Sequence, residues 1–209
     1  TLFPTRRSSD LDETRTFPRE FFNALAESGI GLLGIPEELG GVPADMMTQV
    51  LVLEEIARMG APAYIMTEGQ CIHNMQRFGN AEQLAKTAEV GLTGIPAYSL
   101  AFTEPQAGSD NNRIATTYTR KNGKVYLNGQ KTFITGAKDY PYMLVLARNP
   151  QPEDPKRCFT LWWLDPNSPG VKRNNLHKVG WHMVSNCEVF LDNVELEESD
   201  MVGQEGRSE

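Results

Sequence analysis

Hydrophobic and polar positions alternate in two different textures along this chain. Over residues 17–29, Pro18 suits a first helical turn, Phe21, Phe22, Leu25 and Ala26 follow at helical spacing, and Gly29 supplies a stop. That pattern predicts an amphipathic helix facing a core. Residues 30–41 are punctuated by Gly31, Gly34, Pro36, Gly40 and Gly41, so a structured connection is expected there instead of a helix. A second helix is predicted over 44–59, with Asp45 near its start, Met46, Val50, Leu53 and Ala57 at helical spacing, and Gly60 and Pro62 after it. Its methionines read as core filler. A third helix is expected over 62–77, carrying Tyr64, Ile65, Met66, Cys71, Ile72 and Met75. Asn80 then caps a fourth through Glu89, in which Glu82 and Lys86 stand at i, i+4.

Beyond Val90 the pattern turns to short β-rich runs. Residues 114–120 and 124–128 flank Lys121-Asn122-Gly123, and Asn-Gly between two alternating runs signals a hairpin. Further strands are predicted over 131–135, 142–147, 159–164 and 188–194, with Pro-rich breaks at 150–155 and 166–170. Helices followed by strands imply segregated helical and β domains, an α+β chain with its boundary near residues 91–97. Just past that boundary, residues 100–110 begin as an extended apolar run, break at Pro105 and continue through Ala107, Gly108, Ser109 and Asp110. Small residues at such a turn let a ligand approach the backbone.

Composition narrows the function classes. A formal charge of −7 and a pI near 5.1 leave no clustered excess of Lys and Arg for phosphate neutralisation, which argues against a nucleic-acid surface. Cys71, Cys158 and Cys187 form no CxxC pair and fit a reducing compartment, so the cytoplasm is expected. No apolar run approaches the roughly 20 residues that span a bilayer. Residues 1–11 resemble the conceptual translation of a sequencing-library adapter, and residues 207–209 the start of its reverse complement. The expectation is therefore an internal fragment whose native frame covers about 12–206.

Several familiar chemistries lack their residues. Between Gly123 and Gly129 stand five residues where a P-loop has four, and Gln130 intrudes before Lys131. No GxGxxG follows a strand, no GxSxG is present, and His73, His177 and His182 are scattered without an HExxH or Cys/His cluster.

The run Ala101-Phe102-Thr103-Glu104-Pro105-Gln106-Ala107-Gly108-Ser109-Asp110 resembles the middle-domain signature of the flavin-dependent acyl-CoA dehydrogenases, with Phe102 in place of an aliphatic residue and Arg113 where a small residue is usual. Around it, residues 34–41 resemble the family's Pro-Glu-x-x-Gly-Gly connection. Asn128-Gly129-Gln130-Lys131 and Phe133-Ile134-Thr135 resemble its Asn-Gly-x-Lys and aromatic-Ile-Thr elements. Lys178-Val179-Gly180-Trp181 and Phe190-Leu191-Asp192-Asn193-Val194 are similar to its last strands before the C-terminal domain, although His182 stands where many relatives have Arg. The texture is closest to the bacterial crotonobetainyl-CoA reductase-like branch.

The resemblance implies a helical N-terminal domain over 12–95 and a mostly antiparallel, β-barrel-like middle domain over 96–206, with the family's C-terminal four-helix domain absent. It implies an FAD-dependent oxidoreductase that dehydrogenates acyl-CoA thioesters at the α,β positions, or reduces enoyl-CoA in reverse. Leu100, Phe102, Thr103, Gly108, Ser109, Phe133, Ile134 and Thr135 are the implied FAD-binding residues, and Ser109 is also a candidate substrate contact. A flavin needs hydrogen bonds at its polar edge and an apolar surface against its ring, and its pyrophosphate needs close backbone N–H donors. The catalytic Glu of the family is expected beyond residue 209. Electron-transfer flavoprotein is the implied redox partner and a homodimer or homotetramer the implied assembly. An acyl-CoA oxidase, or a non-catalytic flavin or acyl-CoA-binding relative, remains the alternative.

Overall fold

The computed structural model describes residues 8–61, 68–155 and 157–206. The outer parts of both adapter-like ends, residues 1–7 and 207–209, and the expected first turns of the third helix, residues 62–67, lie outside the described residues. Packing divides the chain into two units: Thr1–Ala97 with Lys178–Val184, and Tyr98–His177 with Ser185–Glu209.

In the first unit, helix α1 spans Ser8–Thr14 and α2 spans Arg19–Glu27. The α2 face is the one its spacing predicts, with Phe21, Phe22, Leu25 and Ala26 buried and Phe17 stacked on Phe22 at 5.3 Å. Helix α1 has no counterpart in the sequence pattern, because Leu11 is a single apolar residue in a polar run. Its docking is tertiary: Leu11 packs with Met183 and Val184. Asp12 accepts from the Met183 N–H and lies 3.1 Å from His182 Nδ1, while His182 Nε2 is 2.8 Å from the Lys178 carbonyl. Two short 3-10 turns, Ile30–Leu32 and Glu37–Leu39, form the Gly-rich connection.

Helix α3, Met46–Arg58, starts where Asp45 accepts from the Thr48 N–H at 2.7 Å. Here one expectation is corrected. Only Ile56 of this helix is buried, and Met46 and Met47 are 73% and 66% exposed, with Val50, Leu51 and Met59 also exposed. Helical spacing reveals that an apolar stripe exists, but not whether anything covers it, so these methionines fill no core. Helix α4, Glu68–Phe78, buries Cys71, Ile72 and Met75. Helix α5, Ala81–Gly91, opens with a capping box in which Asn80 and Gln83 bond reciprocally at 2.9 and 3.0 Å. No helix among the described residues is long and apolar enough to cross a membrane.

The second unit is an eight-stranded sheet. Its strands are β1 Tyr98–Ala101, β2 Thr117–Lys121, β3 Lys124–Thr135, β4 Tyr142–Arg148, β5 Phe159–Leu164, β6 Val171–Asn175, β7 Asn186–Leu196 and β8 Met201–Val202. Their order is β6-β7-β3-β2-β4-β5-β8, with β1 parallel beside β4 and a single parallel bridge from β2 to β4; the remaining pairs are antiparallel. Tyr118, Val125, Leu127, Val145, Trp162 and Val189 meet in one core, as period-two patterning requires. Asn122 and Gly123 both take positive φ, 54° and 76°, the pair of left-handed residues that a two-residue hairpin turn needs.

Two strands predicted separately, 124–128 and 131–135, are one strand with irregularities after Leu127 and after Lys131. Residues 114–116 precede β2 instead of belonging to it. Strands β6 and β8 have no counterpart in the sequence pattern: β6 reads Val-Lys-Arg-Asn-Asn, a polar edge strand without alternation, and β8 has two residues.

Gly129 sits at the first irregularity of β3, with φ 155°. A Cβ there would lie 2.4 Å from Thr116 Oγ1 and 2.7 Å from Thr116 Cα, and Thr116 is fully buried. Gly129→Ala should therefore lower stability by about 1–3 kcal/mol, read as a shifted urea midpoint. An unchanged midpoint would show that this close approach is not required.

Candidate functional site

The turn after β1 is built around a buried ion pair. Glu104 and Ala107 exchange backbone hydrogen bonds at 2.9 and 3.1 Å, which closes Pro105 and Gln106 into a tight turn. The Glu104 carboxylate then points inward. Its Oε1 accepts from Lys131 Nζ at 2.8 Å and from the Thr116 N–H at 3.0 Å. Its Oε2 accepts from the Ala115 N–H at 2.7 Å and from Gln106 Nε2 at 2.5 Å. Lys131 Nζ also donates to the carbonyls of Phe102 at 3.1 Å and Leu146 at 2.6 Å. The three ammonium donors thus meet three acceptors, and both carboxylate oxygens are used twice.

The side chains of Lys131 and Glu104 are 0% and 1% exposed, so this satisfaction is what makes burial tolerable. Burial pushes the Glu104 carboxyl up. The hydrogen bonds from Lys131, Thr116 and Ala115, with the Lys131 charge, outweigh that and hold it below the ordinary glutamate value. Burial pulls Lys131 down from the ordinary lysine value, opposed by the Glu104 contact.

This knot positions the predicted site residues. The Thr132 N–H donates to the Thr103 carbonyl at 2.8 Å, which sets Thr103 beside the outer end of β3. On either side of Phe133 along β3, Lys131 and Ile134 point inward, 0% and 1% exposed. Phe133 is thereby turned out, 66% exposed and at φ 59°. A phenylalanine in the left-handed region costs on the order of 1–3 kcal/mol, and such strain concentrates at ligand sites.

Leu100 on β1 is 54% exposed between buried Ser99 and Ala101. Thr135 is exposed, and its Oγ1 accepts from Asn186 Nδ2 at 3.1 Å, which leaves the hydroxyl proton free to donate outward. Gly108 and Ser109 lie exposed on the loop between the Glu104 turn and the short turn Asn111–Arg113, and a Cβ on Gly108 would touch nothing within 4 Å.

Not every predicted residue offers its side chain. Ile134 belongs to the sheet core, paired opposite Cys187, and its side chain is turned away from Phe133 and Thr135. Phe102 packs against Ala107, Ile114 and Leu146 and supports the turn from inside. Thr103, Phe133 and Thr135 are brought to the same end of β3. Asn186 is invisible to sequence reasoning, because only the β3–β7 register sets it opposite Thr135. An exposed aromatic ring with the exposed Thr135 hydroxyl two residues along, and an open glycine on the loop after the Glu104 turn, fits the apolar ring, polar edge and phosphates of a flavin nucleotide.

Comparison with known proteins gives a consistent result. The N-terminal domain model of the acyl-CoA dehydrogenases matches residues 4–95, and the middle domain model matches residues 99–194. Probable acyl-CoA dehydrogenase YdiO of Escherichia coli is 68% identical over 207 residues, covering 99% of this chain and 54% of that protein. An acyl-CoA dehydrogenase crystal structure from Geobacillus kaustophilus superposes with TM-score 0.82 at 29% identity, over 95% of this chain and 53% of that one. A probable acyl-CoA dehydrogenase from Mycobacterium abscessus gives TM-score 0.83 at 27% identity, over 95% and 54%. The chain spans about half the length of the curated relatives it matches.

Removing one partner of the buried pair should be severe. Glu104→Ala or Lys131→Met should each cost about 3–5 kcal/mol, and Glu104→Gln combined with Lys131→Met should cost less than the sum of its single changes. Chemical denaturation of the variants beside the native protein measures this, and strict additivity would contradict the coupling. The pH dependence has a fixed sign. Because the folded Glu104 carboxyl titrates below its unfolded value, its contribution is present above the unfolded value and is lost as pH falls through the folded one. The stability gap between the native protein and Glu104→Gln should therefore narrow in acid; a gap that widens would overturn the assignment.

Proposed function

Because the chain belongs to the acyl-CoA dehydrogenase family, we propose that it forms one wall of an FAD site in a protein that oxidises acyl-CoA thioesters at the α,β positions, or reduces enoyl-CoA in reverse. The observation that carries this reading is Phe133, held outward at φ 59° next to Thr103. Bound FAD would supply the hydride acceptor. The chain's own residues bind and orient it. Phe133 and Leu100 offer apolar surface to the ring, and the hydroxyls of Thr103 and Thr135 donate to its polar edge. The Ile134 backbone completes that edge, and Gly108 with Ser109 approaches the pyrophosphate. Phe102 acts from beneath, by fixing the turn. Ser109 is also the residue proposed to meet the acyl-CoA. Positioning of substrate against flavin dominates such a reaction, which is why a rigid wall matters.

The base that removes the α-proton is assigned to chain beyond residue 209, and Glu104 is no substitute, since both its oxygens are committed inside. The electron acceptor is proposed to be electron-transfer flavoprotein, and the full-length assembly a homodimer or homotetramer. The exposed apolar face of α3 favours an incomplete unit over a finished one. The 209-residue chain should accordingly bind flavin weakly and show no turnover. Reoxidation by oxygen would point to an acyl-CoA oxidase. Flavin binding without turnover in the full-length protein would point to a non-catalytic relative.

The purified full-length protein should carry flavin absorbance, and Thr103→Ala should weaken its flavin affinity roughly 2- to 10-fold through one lost hydrogen bond. Phe133→Ala should weaken it by a comparable factor or more. Absence of flavin from that protein, or unchanged affinity in both variants, would sink the reading.

A further inference from the structure

The chain contains two Asn-Gly pairs, six residues apart on one hairpin, in opposite environments. Asn122-Gly123 is the two-residue turn joining β2 to β3, and both residues are exposed. The Asn122 amide and the Gly123 N–H make no hydrogen bond to any described residue, and a Cβ at Gly123 would meet nothing within 4 Å. Asn128-Gly129 lies inside β3. Asn128 Oδ1 accepts from the Asn193 N–H at 2.9 Å, and its Nδ2 donates to Asn193 Oδ1 at 3.3 Å. Gly129 is pressed against Thr116, as described above.

We propose that Asn122 is a site of spontaneous deamidation and that the fold protects Asn128 from the same reaction. The Gly123 nitrogen attacks Asn122 Cγ; the new N–Cγ bond closes a succinimide, the Cγ–Nδ2 bond breaks, and ammonia leaves with the proton released from the Gly123 nitrogen. Water then opens the ring. Attack at Cγ gives an ordinary aspartyl residue in place of Asn122, and attack at the main-chain carbonyl gives an isoaspartyl linkage that routes the backbone through Cγ. Both products place a carboxylate between Lys121 and Lys124. The isoaspartyl form also lengthens a turn whose two-residue span sets the Lys121–Lys124 pairing and, behind it, Thr117 opposite Asn128.

The reaction needs a free nucleophilic nitrogen and a side chain able to swing onto it, and the turn supplies both. At Asn128 two hydrogen bonds must break first, which slows it by roughly 5- to 150-fold relative to the turn. This inference is independent of the flavin reading, since it uses only the hairpin.

The test is incubation of the chain at mildly alkaline pH in water enriched in heavy oxygen, followed by peptide mass spectrometry. Heavy oxygen should enter the Asn122 peptide at least about 5-fold faster than the Asn128 peptide in the native chain. In strong denaturant the two rates should converge. Asn122→Gly, which keeps a left-handed turn, should abolish the first signal only. No incorporation at Asn122, equal rates in the native chain, or a difference that persists in denaturant would each overturn the proposal.

Discussion

A lysine ammonium and a glutamate carboxylate buried together at the heart of the sheet are the constraint on which this molecule depends. Lys131 joins β3 to the carbonyls of Phe102 and Leu146, and Glu104 gathers the backbone of residues 115 and 116. Four separate stretches of chain are thereby fixed by one pair of side chains. Such a pair gains little over a well-packed apolar substitute, because desolvation offsets most of the attraction. What it contributes is placement. With every donor and acceptor used, the turn at 104–107 has one arrangement, and the loop carrying Gly108 and Ser109 departs from a fixed base.

The consequences are visible on the outside of β3. Its inward residues are committed to the ion pair and the core, so the intervening Phe133 is expelled in a conformation that a free strand would avoid. Strain of this kind persists only where the surroundings over-determine it. Two residues along from Phe133, Thr135 is exposed, and the loop at Gly108 is open; with Thr103 they make up the surface proposed to receive a flavin nucleotide. The apolar stripe of α3 is a different exposure: there no strain is held, only a helix face left without cover.

Much of the fold is legible from pattern. The α2 face, the Asn80 cap and the Asn122-Gly123 turn each rest on local chemistry that a sequence states directly. Tertiary effects are not legible. Helix α1 forms around one leucine and an aspartate that meet a distant segment, and β6 is a polar edge strand that exists because β7 pairs with it. The outward stripe of α3 reads like core because periodicity describes one helix and says nothing of its neighbours. For the candidate site, the signature residues are readable through their spacing. The separation of roles is not: Ile134 and Phe102 turn inward, and Asn186 enters only through register.

The central claim is that the buried pair holds a flavin wall made of Phe133, Thr103 and Thr135. The measurement that bears on it most directly is a crystal structure of the full-length protein with its chromophore bound. The account predicts an isoalloxazine ring against Phe133, with its polar edge within hydrogen-bonding distance of the Thr103 and Thr135 hydroxyls and the Glu104–Lys131 contact unchanged. A flavin bound elsewhere, or a ring whose polar edge meets neither threonine, would contradict it.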